Sequence, residues 1–256
     1  MKYDAGTLGS LIKSYSEQTS ELMVGGSLTD AQSSFCLAIG EAIAETQNTW
    51  QDSATVTGIQ VNGGICAPLG PLTGGMGVGA PGSIVGTISG TGSNATSKFP
   101  TSAMASLTPA LRSYVKSIGD GFETIFNQLL TTSTISNILV SGGFCTCQII
   151  LGASVPGTYS GGLGILTSLT SGLKGTALTS GNLYSEILSR LDSNVLAVGN
   201  PTPSLNASLR AICSAIEEHH DAWLDSTSIN NLLVGGGLSI PYGPLVGSLG
   251  LGGKFI

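Results

Sequence analysis

His219 and His220 follow Glu217 and Glu218, and this run holds the residue types for general-base or metal chemistry. Successive helix positions point about 100° apart, so neighbouring imidazoles do not converge on one ion, and no second ligand cluster accompanies them in sequence. They read as structural or solvent-exposed helix residues; at the matching place earlier in the chain stand Thr46 and Gln47. Cys145-Thr146-Cys147 has the letters for metal binding or disulfide exchange. Alternate strand residues face opposite ways and structural zinc takes four ligands, so both cysteines read as small packing residues. Gly77-Val78-Gly79-Ala80-Pro81-Gly82 spells a dinucleotide-binding pattern, yet Ser83 to Gly90 offers no helix to present its terminus to a phosphate. Gly252-Gly253-Lys254 lacks the earlier glycine and the following hydroxyl residue of a phosphate loop, and no Gly-x-Ser-x-Gly elbow occurs. The expectation is a protein that is not an enzyme, with no catalytic residues, cofactor or metal.

Amphipathic helices are the elements that would carry these groups. Phe35, Ile39, Ile43 and Trp50 recur at helical spacing, as do Leu209, Ile212, Ile216 and Trp223. Leu111, Val115, Ile118, Phe122, Ile125, Phe126 and Leu129 form a third stripe, with Thr108 as its expected N-cap and Pro109 at the first helical position. A further helix is expected around Tyr184, Ile187, Leu188, Leu191 and Val195, bridging two units. After each long stripe the pattern turns to alternation, then to paired glycines and prolines, which reads as a strand, a turn and a hairpin-like arm.

A shift of 173 residues lays Trp50 on Trp223, Val61 on Val234, Gly63-Gly64 on Gly236-Gly237 and Pro68 to Leu72 on Pro241 to Leu245. Ile135 to Gly143 lies on Ile229 to Gly237, a middle copy whose later arm diverges, and Leu22 to Gly26 is a short echo. Such self-similarity marks a duplicated supersecondary unit. The expected architecture is α+β in three pseudo-repeats, each an amphipathic helix followed by a glycine-rich arm. Residues 1–30 are an N-terminal segment, 31–98 the first unit, 105–170 the second, 180–200 the bridging helix and 204–256 the third.

Charge separates the two kinds of element. No Asp, Glu, Lys or Arg occurs from Ser53 to Ser97, Thr124 to Leu173 or Ser226 to Gly253. An uncharged apolar arm pairs with whatever edge it meets, so it should be covered by another subunit or another copy of itself. The residues expected to carry these assembly arms are Val61, Gly63, Gly64, Pro68, Pro71, Val140, Gly142, Gly143, Val234, Gly236, Gly237, Pro241 and Pro244. Trp50 and Trp223 read as wedges between helix and arm.

Charged residues are 9% of the chain against 41% hydrophobic, with 38 glycines and a net charge of −6. Mean hydropathy of +0.33 is too apolar for a disordered coil. Nine cations in all give no phosphate-binding surface, so nucleic acid is not an expected ligand. Five thinly spread cysteines, Cys36, Cys66, Cys145, Cys147 and Cys213, do not form a disulfide framework, and no secretory leader is read at the amino terminus. In its low charge and its Gly, Ser and Thr content the whole chain resembles minor structural proteins of tailed bacteriophage virions. The resemblance implies a structural subunit of a tail, baseplate, neck or minor capsid, a homo-oligomer joined to other proteins of the particle and located in the virion after assembly in host cytoplasm. The alternative is a membrane-active ejection or pore-forming protein whose arms meet lipid; no arm holds the roughly twenty continuous apolar residues of a spanning helix.

Overall fold

Helix starts are set by side chains that accept the free amide hydrogens of a first turn. The computed structural model describes residues 2–23, 26–76, 82–98, 109–174, 178–191 and 201–256. Helix α1 (Ala5–Glu17) begins where the Asp4 carboxylate accepts from the Thr7 amide at 2.6 Å. Helix α2 (Asp30–Ser53) begins at a reciprocal capping box of Thr29 and Gln32. It leads into the hairpin β1 (Thr55–Cys66) and β2 (Gly70–Met76), then β3 (Gly82–Val85) and α3 (Thr91–Ser97). Helix α4 (Pro109–Thr132) opens on its proline. It runs through β4 (Thr134–Ile135) into β5 (Leu139–Cys145), a two-stranded tip of β6 (Gln148–Ile150) and β7 (Ala153–Val155), and β8 (Gly157–Leu166). Helix α5 (Leu169–Gly172), β9 (Leu173–Lys174) and α6 (Ser180–Arg190) connect to α7 (Pro203–Ser226), capped by Thr202. The chain closes with β10 (Ile229–Ser239) and β11 (Leu245–Phe255). The class is α+β, as the sequence implies. The cap expected at Thr108, the run from Gly77 to Pro81, the echo's Val24 and Gly25, and the bridging helix beyond Leu191 fall outside the described residues.

Helices α2, α4 and α7 each have 24 residues, and each feeds a strand pair. Those strands join in the antiparallel order β1, β2, β5, β8, β10, β11, and β11 pairs back onto β1, for instance Val56 with Gly253 and Ile59 with Gly250. The six strands therefore form a closed barrel. Beside β2, the helix-side end of β1 also holds β3, which continues through β4 to β9 as a short flap.

Six strands enclose less room than the eight that side chains just fill, so residues facing across the lumen must alternate in size. Val61 lies opposite Ser248, Val140 opposite Gly164, and Val234 opposite Gly250 and Gly162. A Cβ on Gly250 would meet Leu232 at 2.6 Å, and one on Gly164 would meet Ile138 at 2.8 Å. The arm glycines do a second job: Gly63-Gly64, Gly142-Gly143 and Gly236-Gly237 all hold positive φ, which lets each first strand bend around the ring.

The arms are expected to be covered by another subunit or another copy of the unit, and Val61, Val140 and Val234, assigned to them, lie inside the barrel. All three point into the lumen and are at most 1% exposed. The paired glycines shape the ring, while Pro68, Pro71, Pro241 and Pro244 flank its turns. The arms cover one another within a single chain.

Candidate functional site

At the junction of helices and barrel, Trp50 packs edge-on against Phe126 at 5.0 Å between centroids and meets Trp223 at 6.1 Å and Phe255 at 5.3 Å. The Trp223 indole N–H donates to Gln51 Oε1 at 2.9 Å, tying α7 to α2. Both tryptophans are buried, so neither offers an open face to a ligand. His220 lies in the same layer, stacked on Trp223, at the place where α2 has Gln47 and α4 has Phe126, all three buried. Burial lowers its pKa to about 3, with the neighbouring His219 adding to the shift. Burial also holds the Tyr3 phenol well above its ordinary range. The phenol therefore keeps its proton, and its hydroxyl shares a hydrogen bond with His220 Nδ1 at 2.8 Å. Tyr3 also meets His219 edge-on at 4.7 Å. Glu218 accepts from the Tyr15 hydroxyl and Glu217 from the Ser180 amide. The one acid–histidine run in the sequence is thus spent on fastening α1 and α6 to α7.

The cysteines are equally quiet. Cys66 and Cys145 lie buried on equivalent strands, with thiols against each other. Burial, with Cys66 alongside, pushes the Cys145 thiol up to about 12, so it stays protonated and unreactive. Cys147 points to the Ala67 carbonyl at 3.9 Å. Among the described residues no group of three or more His, Cys, Asp and Glu is placed to hold a metal. A cleft of about 240 Å³ beside Trp50 is lined by Glu45, Thr49, Ile88 and Asn94. Its one carboxylate already takes Lys98 at 2.7 Å.

What the structure does present is apolar surface on the outside of the barrel. In register across four neighbouring strands, Leu139 faces Ile165, Leu163 faces Leu233 and Leu233 faces Leu251, with Leu249 one pair further along β11. These six side chains are 43–61% exposed. On β1 the ladder ends: Thr57 and Gln60 stand opposite Leu251 and Leu249. The apolar flank therefore covers one side of the ring. The lumen is filled, since the inward Val56, Ile59, Ile138, Ile229 and Leu232 are at most 1% exposed, whereas a water channel would leave its lining accessible. Among the described residues no helix is long and apolar enough to cross a membrane.

Sequence reasoning missed this flank, although a signal was there. Leu232-Leu233-Val234 puts apolar side chains on both parities of a strand, and Leu249-Gly250-Leu251 pairs two leucines of one parity with a glycine on the other, so a set of leucines must face outward. Comparison with family models, with curated proteins and with solved structures yields no match.

Proposed function

We propose that the chain is a non-enzymatic structural subunit of a multi-copy assembly, of the virion kind that its composition resembles, and that its three helix–hairpin units arose by duplication. The observation that carries the reading is the ladder of Leu139, Ile165, Leu163, Leu233, Leu251 and Leu249. A continuous aliphatic stripe of this extent on one side of a closed barrel fits a flat protein contact. The occupant is a second copy of this chain. The stripe has no charge to match and no hydrogen bond to satisfy, so it is complementary to itself. The six strands of the ring leave no edge open along the flank, so copies that meet there do so by side-chain packing and not by added strands. The excess negative charge sits on the helices and keeps clear of that contact.

Light scattering coupled to size-exclusion chromatography tests this. The wild-type chain should run as a stable multimer at micromolar concentration, and the double variant Leu233→Lys with Leu251→Lys as a monomer with unchanged far-ultraviolet circular dichroism. A wild-type chain that stays monomeric and clear over a hundredfold concentration range would overturn the proposal.

A further inference from the structure

Three hairpin turns meet at the end of the barrel away from the helices. The Leu69 amide donates to the Cys147 carbonyl at 2.8 Å, the Tyr242 amide to the Cys66 carbonyl at 2.9 Å and the Cys66 amide to the Gly243 carbonyl at 3.0 Å. At the apices stand Leu69, Leu151 and Tyr242, with φ of 47°, 50° and 51°. This left-handed region suits Gly or Asn and strains bulky side chains. Leu151-Gly152 closes the β6–β7 hairpin with positive φ at both residues, a turn that favours Asn-Gly. Burial does not repay the strain: Leu69 is 55% exposed, Tyr242 70% and Leu151 103%. One tier below, at matching places on β1, β5 and β10, Ile65, Phe144 and Leu238 also face outward, 45–56% exposed.

Apolar side chains therefore surround the whole circumference of this end, whereas the flank is apolar on one side only. A protein partner covers a face; a medium surrounds a point. The tip also meets the requirements of hydrocarbon. Its turns lie within the charge-free segments, and several of their backbone groups are paired, the Ala67 amide with the Pro71 carbonyl and the Gly243 amide with the Ile240 carbonyl among them. We infer that this end of the barrel is a lipid-contacting tip, whose three apices and the belt beneath them enter the acyl boundary of a bilayer. With no cation on it, the tip binds through apolar burial alone and does not require anionic headgroups.

Flotation of the full chain with phosphatidylcholine vesicles tests the inference. The wild-type chain should float with them equally in low and high salt, and no better when phosphatidylglycerol is added. The triple variant Leu69→Asn, Leu151→Asn, Tyr242→Asn should partition about a thousandfold more weakly, at roughly tenfold for each apolar side chain removed. Its melting temperature should hold or rise, because Asn accepts the left-handed backbone more readily. A Leu151→Trp chain gives a second readout: Trp50 and Trp223 are buried, so a blue shift on adding vesicles reports the tip. A wild-type chain that stays at the bottom of the gradient would sink the inference. So would a triple variant that floats like the wild type, binding to anionic vesicles alone that salt abolishes, or a Leu151→Trp chain whose emission vesicles leave unchanged. Flank variants that lose self-association should still float, which separates this test from that of the assembly.

Discussion

On the helical head, Lys98 lies 2.8 Å from Glu41 and 2.7 Å from Glu45, and Lys2 lies 2.6 Å from Asp52. On the barrel flank, by contrast, Leu163, Leu233 and Leu251 stand in one cross-strand row with no charged group among them. The head follows the ordinary rule for a protein in water, with apolar stripes inward and charge outward. Along its flank and tip the barrel is apolar on both faces of its strands, and only the inner face is needed to hold it together. An outer face of that kind does nothing for the fold of one chain, and it is on this ground that we propose a protein neighbour along the flank and lipid at the tip.

The largest effect expected from breaking this contrast comes from inside the barrel. Gly250→Leu forces a side chain into the space of Leu232, where even a Cβ comes within 2.6 Å. Soluble folded protein should be lost, read from the soluble fraction and from circular dichroism. Leu249→Gln, one residue away but facing outward, should leave stability within about 0.5 kcal/mol, and equal damage from both would erase the distinction between the faces. Next comes the junction of head and barrel. Trp223→Ala removes a buried indole together with its bond to Gln51 and should cost about 3–5 kcal/mol in chemical denaturation. A loss below about 1 kcal/mol would mean that head and barrel stand without this wedge.

Much of the head was legible from sequence. The stripes through Ile39, Ile43 and Trp50 and through Ile212, Ile216 and Trp223 lie on α2 and α7, because helical periodicity is local. The glycine doublets read as turns that end each first strand, whereas β1, β5 and β10 run through them and bend there. Ring closure was not legible, since it depends on pairing Val56 with Gly253, and nothing local fixes a register across most of the chain. Nor was the part played by α1, which the sequence left as a terminal segment although Leu8 and Ile12 are wholly buried. The outward leucines escaped because alternation disappears when both faces of a strand are apolar.

The smallest effect belongs to the head, and its sign follows from His220. The imidazole has a pKa of about 3 in the folded chain against the ordinary 6.5, since burial disfavours its charged form. The unfolded chain therefore binds a proton that the folded chain refuses between those values. The stabilisation from a neutral His220 is whole above pH about 6.5 and is lost as pH falls toward 3, at up to about 1.4 kcal/mol per unit. His219, lowered for the same reason, acts in the same direction. The bond to Thr7 holds Asp4 below its ordinary value and burial raises Asp221, so across the window from pH 6.5 to 5 the imidazole is isolated by a variant that leaves both carboxylates in place. His220→Gln, the residue that α2 carries at Gln47, can still accept from the Tyr3 hydroxyl and cannot titrate. Denaturation midpoints taken across that window should slope downward with acid in the wild type and much less in the variant. Parallel curves would show that the imidazole becomes protonated without disturbing the fold, and the head would then be less tightly sealed than its buried aromatic layer implies.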